Sequence, residues 1–229
     1  MDFDPKESSK GLGLSKDEFT MVALDLPGFG RSELDVEEKS DPTLEYFEMA
    51  ASVAAKLMSK LNYKTYSLAG WSDGARVASL LAARHQSRVN ALILWAFVPV
   101  MDKRSSEAIA RTRDTSIWEP KALELYQSVY GEQQFSDLWH KYVDFVVQAL
   151  ELPERFDIRD ELCKIKCPTL ILHGSNDPIV NYQEHVKPLE MQIYDSDIMQ
   201  FKGMSHNIHQ AEPKRFNQVL TTFVTSLKA

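Results

Sequence analysis

Apolar positions along the chain fall into two kinds of pattern. Short continuous runs at residues 19–24, 65–69, 91–97, 168–172 and 198–201 predict strands buried on both faces. Between them apolar residues recur at steps of three and four, which predicts helices. Leu44, Phe47, Ala51, Ala54, Met58 and Leu61 make one such stripe behind Asp41, read as an N-cap, and Pro42, read as the first helical residue. Phe216, Val219, Leu220, Phe223 and Leu227 make another near the C-terminus. Strands alternating with helices predict an α/β fold with a mostly parallel sheet. From residue 101 to about 160 the strand signals stop and the period is helical throughout, with Trp139, Val143, Val146 and Leu150 on one face and Trp118 and Tyr126 in neighbouring elements. That change predicts a helical cap, residues 101–160, inserted between two parts of a core, 1–100 and 161–229. Its aromatics read as cap packing, some of them shared with a pocket.

The segment that organises the chain is residues 66–85. A short apolar run turns at Gly70-Trp71-Ser72-Asp73-Gly74 into an Ala/Leu-rich helix, the setting in which G-x-S-x-G marks a nucleophile elbow. The central serine of such a turn is strained, and Gly70 and Gly74 are expected to keep bulk away where strand and helix nearly touch. Ser72 then stands at a helix N-terminus, where partial positive charge favours a developing anion. The competing reading is a Gly-rich turn with a helix-capping serine.

Composition narrows the partners. The 229 residues carry a formal charge of −7, which argues against nucleic acid or an anionic membrane as the main partner. Only Cys163 and Cys167 are present, with no Cys/His cluster to complete a zinc site, so they read as reduced thiols of an intracellular protein and no metal is expected. No apolar run reaches membrane-spanning length, and the acidic start does not resemble a targeting signal. The expected compartment is cytoplasmic or mitochondrial. Residues 1–18 are polar, and Asp25-Leu26-Pro27-Gly28-Phe29-Gly30-Arg31-Ser32 is a loop with no helix signal behind it, so it is not read as a phosphate cradle.

Two further loops follow predicted strands. One is His173-Gly174-Ser175-Asn176-Asp177-Pro178, and the other contains Ser205-His206-Asn207-Ile208-His209. Ser72, Asp177 and His206 thus occur in the chain order of one serine-hydrolase fold. The chemistry needs all three: an imidazole to take the serine proton, and a carboxylate to fix the tautomer and stabilise the imidazolium. Asp102 is the alternative acid, and Asp177 alone would read as a turn residue. His209 competes with His206 but falls where the closing helix begins. His85, His140 and His185 read as solvated or core histidines, and His173 as a support for the Asp177 loop.

Taken together, the Gly70-Trp71-Ser72-Asp73-Gly74 elbow, the residue 25–32 loop and the Asp177 and His206 loops resemble the α/β-hydrolase superfamily, and within it the valacyclovir hydrolase (biphenyl hydrolase-like) family. The likeness runs from about Phe3 to the C-terminus. It implies hydrolysis of α-amino acid esters, a small-molecule substrate, and no cofactor. By position it makes Ser72 the nucleophile, Asp177 the acid and His206 the base. It makes the Asp73 backbone N–H an oxyanion donor, the Asp73 carboxylate the holder of the substrate ammonium, and Ile179 a pocket residue. Without the resemblance, Asp73 reads as an acidic residue in a first helical turn. Members of the family begin with three further strands, the third leading to a second oxyanion donor. The resemblance therefore implies an N-terminally shortened sheet, an exposed elbow strand unless residues 19–24 pair with it, and turnover lowered by about 10²–10³. A carbon–carbon bond hydrolase of the meta-cleavage kind and a non-catalytic interaction protein are the alternatives.

Overall fold

The computed structural model describes residues 13–32, 43–151 and 156–227. Its regular elements are, in order, α1 (Leu44–Lys60), β1 (Tyr66–Trp71), α2 (Asp73–Arg84), β2 (Val89–Trp95), α3 (Lys103–Ala110), α4 (Pro120–Tyr130), α5 (Glu132–Gln148), α6 (Arg159–Leu162), β3 (Thr169–Gly174), α7 (Leu189–Gln192), β4 (Ser196–Phe201), α8 (Ile208–Ala211) and α9 (Pro213–Ser226). The strands form one parallel sheet in the order β1-β2-β3-β4.

Strand alternation splits the core into two layers, one on each face of the sheet. Leu92 and Leu94 of β2 and Ile171 of β3 join the layer containing α1 and α2, while Ile93, Trp95, Leu170 and Leu172 join Phe201, Phe216 and Leu220 on the other face. Burying each such aliphatic side chain stabilises the fold by roughly 1.5–3 kcal/mol. This is why β2 and β3 read as unbroken apolar runs rather than alternating ones.

The helix signals translate with small shifts. Thr43 caps α1, its hydroxyl accepting from the Tyr46 N–H, and Asn62 at positive φ ends the helix; Asp41 and Pro42 lie outside the described residues. Phe47, Ala51 and Ala54 are buried, whereas Leu61 falls past the last turn and is exposed. In α9, Phe216 and Leu220 are buried and Val219 and Phe223 pack beside them, while Leu227 lies beyond the helix and is exposed.

Residues 19–24 correct the sequence expectation. They form no strand, and Val22 is exposed. An apolar run becomes a strand only when a neighbour accepts its backbone hydrogen bonds, and β1, the one candidate, pairs only with β2 among the described residues. Leu24 and Leu26 pack on the core instead. The loop that follows is held by its own bonds: the Arg31 N–H donates to the Asp25 carboxylate and the Ser32 hydroxyl to the Asp25 carbonyl. Tyr46 of α1 and Tyr130 of α4 tie it down through the Pro27 carbonyl and the Gly30 N–H.

Between β2 and β3 the described chain is helical. Trp118 meets Tyr126, Phe135 and Trp139 edge-on, and Tyr126 stacks on Phe135, so these aromatics pack on one another. Val143 and Val146 are buried, and Leu150 lies past the end of α5 and is exposed. Cys163 and Cys167 are unpaired thiols, and no helix among the described residues is long and apolar enough to cross a membrane.

Candidate active site

The turn from β1 into α2 places Ser72 at φ 54°, ψ −121°, a backbone region that L-residues rarely adopt. Its N–H donates to the Trp95 carbonyl at the end of β2, and its carbonyl accepts from the Ala75 N–H. Gly70 is required there: a Cβ would stand 2.6 Å from the Gly74 carbonyl oxygen and 2.7 Å from the Ala75 Cα. Gly74 is not, because a Cβ at that position would meet no atom within 4 Å. Close approach falls on one side of the turn only. The Asp73 N–H is the first of α2 and has no partner within the helix.

Asp177 and His206 come together at the ends of β3 and β4. His206 Nδ1 lies 2.9 Å from Asp177 Oδ2, and Asp177 Oδ1 accepts from the Ile179 and Val180 N–H groups at 2.9 and 3.0 Å. Burial works against ionising Asp177, but the His206 bond and charge and the two backbone donors outweigh it and hold the carboxyl below its usual range. An ionised carboxylate only accepts, so Nδ1 carries the proton and Nε2 is left basic. Among the described residues Nε2 makes no hydrogen bond, and none joins Ser72 to His206. The imidazole lies edge-on to Trp71, centroids 5.5 Å apart, beside the elbow. Gly174 lets the two loops meet, since a Cβ there would collide with the Met204 and Ser205 carbonyls.

The other histidines separate clearly. His209 accepts from the Trp95 indole N–H at 3.1 Å, and burial, followed by the nearby His206, lowers its pKa to about 4. His173 is buried against Tyr182, and burial lowers its pKa too. Asp102 does not meet His206. It caps α3 through the Ser105 N–H and binds His185 Nε2 at 3.0 Å, while His185 Nδ1 accepts from the Asn181 N–H. With Glu184 these form a group whose donor atoms lie within 4.8 Å. A metal on His185 Nε2 would force the proton onto Nδ1, against the Asn181 N–H, so the arrangement does not suit one.

Ser72, Asp73, Arg76, Ala96, Val98, Met101, Ile109, Tyr142 and Ile179 surround a cleft of about 260 Å³, counting space open to solvent. The wall is apolar except around Asp73. One Asp73 oxygen accepts from Arg76 Nε at 3.2 Å and the other from the Tyr142 hydroxyl at 2.9 Å. Arg76 is fully buried between Phe47 and Phe156 and also donates to the Phe156 and Pro99 carbonyls. Tyr142 stays protonated, because burial and then the Asp73 charge raise its pKa well above the usual phenol value. Sequence reasoning missed both Arg76 and Tyr142. The i, i+3 spacing of Asp73 and Arg76 was a usable signal; nothing local marked Tyr142, 69 residues away.

The model of the serine aminopeptidase S33 hydrolases matches residues 11–214. The chain belongs to that family. Serine hydrolase BPHL of Mus musculus is 32% identical over 223 residues, which is 97% of this chain and 74% of the mouse protein; the Homo sapiens protein is 30% identical over the same shares. An esterase of Exiguobacterium antarcticum superposes with a TM-score of 0.62 over 90% of this chain and 80% of its own, at 23% identity. This S33 member is thus a serine hydrolase with the α/β-hydrolase fold, and among the described residues the elbow strand β1 lies at the edge of its sheet.

Proposed function

We propose that this protein hydrolyses carboxylic esters through Ser72, His206 and Asp177, and that α-amino acid esters are its substrates. Ser72 Oγ attacks the ester carbonyl carbon while its proton passes to His206 Nε2, and the Asp73 N–H faces the oxyanion that forms. Collapse breaks the acyl–oxygen bond, and the departing alcohol takes the proton from His206. Water, deprotonated by the same nitrogen, then attacks the acyl-enzyme and releases the acid.

The observation that carries the substrate class is the Asp73 carboxylate, adjacent in sequence to the nucleophile and on the wall of an otherwise apolar cleft. Each of its oxygens accepts one bond from the protein and retains a second lone pair for a substrate ammonium. Ile179 and Met101 bound the room left for a small acyl side chain. Two measurements test this. Ser72→Ala is expected to abolish both ester turnover and fluorophosphonate labelling; retained turnover would reject the nucleophile. α-Amino esters should exceed their des-amino analogues in kcat/KM by about tenfold or more, a preference lost in Asp73→Asn. Equal rates for the two ester series would remove the ammonium role.

A further inference from the structure

Trp71 occupies the variable position before the nucleophile in the elbow motif, and its side chain turns away from the cleft. Its indole N–H donates to the His206 backbone carbonyl at 3.3 Å, across 135 residues of sequence. Its ring lies edge-on to the His206 imidazole at 5.5 Å and tilted against His209 at 5.3 Å. His209 is itself fixed, accepting from Trp95, which leads out of β2 and packs on Phe216 of α9. The base loop is thus gripped from two sides. Gly174 seats it on the acid loop, and Trp71 seats it on the elbow.

Through its carboxylate bond His206 is positioned relative to Asp177, but that bond leaves the imidazole free to swing with its loop relative to Ser72. Among the described residues, Trp71 makes the hydrogen bond that joins the elbow to the base loop. We infer that Trp71 is a positioning residue for His206: its indole sets the distance from the imidazole to the Ser72 hydroxyl, with His209 as the back of the seat. This rests on Ser72 and His206 forming the reacting pair. The charged or titratable groups facing His206 are Asp177, His173 and His209. Burial first, and then its imidazole neighbours, lower the pKa of both His173 and His209, so neither brings a competing charge near neutral pH.

The test is a double-substitution cycle on the full chain. Trp71→Phe keeps a ring and removes the donor. It should lower kcat and the rate of fluorophosphonate labelling together by about tenfold, the worth of one directed hydrogen bond, with KM within about twofold of the parent. Trp71→Leu, which also removes the ring, should lower both further. Added to His206→Ala, Trp71→Phe should change the residual rate by less than about twofold, because the residue it acts through is gone. An unchanged labelling rate in Trp71→Phe, or the same tenfold loss in the His206→Ala background, would overturn the inference. If Trp71→Phe is too unstable to assay, Trp95→Phe, which frees His209, reports on the same seat: a fall in kcat at constant KM supports it and an unchanged kcat overturns it. Full turnover by Ser72→Ala would instead sink the reading of the site, a separate result.

Discussion

The molecule holds two histidine–carboxylate pairs of nearly equal length, His206–Asp177 at 2.9 Å and His185–Asp102 at 3.0 Å. Distance does not distinguish them; the second nitrogen does. His185 spends both nitrogens inside the protein, one on Asp102 and one on the Asn181 N–H, and is fully buried. His206 spends one and keeps Nε2 available beside the elbow. Their carboxylates do not differ in kind: each gives Oδ1 to backbone amides of the turn that follows it, Ser105 for Asp102 and Ile179 and Val180 for Asp177, and Oδ2 to an imidazole. A histidine–carboxylate pair can act as a base only through a nitrogen that it leaves unbonded.

Breaking each pair should therefore give opposite signatures. His206→Ala is expected to cut ester turnover by roughly 10⁴ or more, beyond any loss of stability from leaving the buried Asp177 carboxylate with only its backbone donors. His185→Ala should leave kcat within about threefold but cost roughly 1–3 kcal/mol in urea unfolding, since it empties a buried site, strands the half-buried Asn181 N–H and frees Asp102. A folded His185→Ala protein without turnover would erase the distinction. On the carboxylate side, Asp177→Asn should lower kcat by about 10⁴ by releasing the tautomer. Asp102→Asn should cost roughly 1–3 kcal/mol, because Oδ1 accepts from the Ser105 N–H and Oδ2 from His185 Nε2–H, and an amide with its single oxygen turns its NH2 toward one of those donors.

Acid sharpens the contrast further. His185, His173 and His209 are held chiefly by burial below the ordinary value of 6.5, His209 at about 4. Below pH 6.5 the unfolded chain takes up protons that the folded chain refuses, so stability falls as pH drops. Asp177 and Asp102, held below 3.8, contribute stability that is present above that value and lost further down. Urea midpoints should thus decline from pH 7 to pH 4, and His185→Gln should flatten part of that slope. The smallest effect is expected at the elbow: Gly74→Ala should be neutral or stabilise by up to about 1 kcal/mol, whereas Gly70→Ala should be destabilising, both by thermal denaturation.

The sequence made the strands β1 to β4 and the long helices legible because their apolar periods are strong and their turns carry Gly, Pro and Asn signals. It erred at residues 19–24, where the run is apolar enough but the hydrogen-bonding neighbour, a nonlocal requirement, is lacking among the described residues. At the site, the motif and chain order singled out Ser72, Asp177 and His206, and the structure brings the last two into contact, with the His206 ring against Trp71 of the elbow. It could not show that Asp73 is already bonded to Arg76 and Tyr142, or that Asp102 belongs to His185. Arg76 was marked by its i, i+3 spacing, but Tyr142 comes from α5 and His185 from beyond β3, and local pattern carries no record of those two.

The contact at Gly174 has a consequence for how this site can vary. Because the acid and base loops meet main chain to main chain, their separation is fixed by peptide rather than by rotamers. A glutamate at position 177 would carry its carboxylate past the imidazole unless these main chains moved apart, and aspartate is already the shortest acid available. The spacing of this histidine and its carboxylate is written into the scaffold.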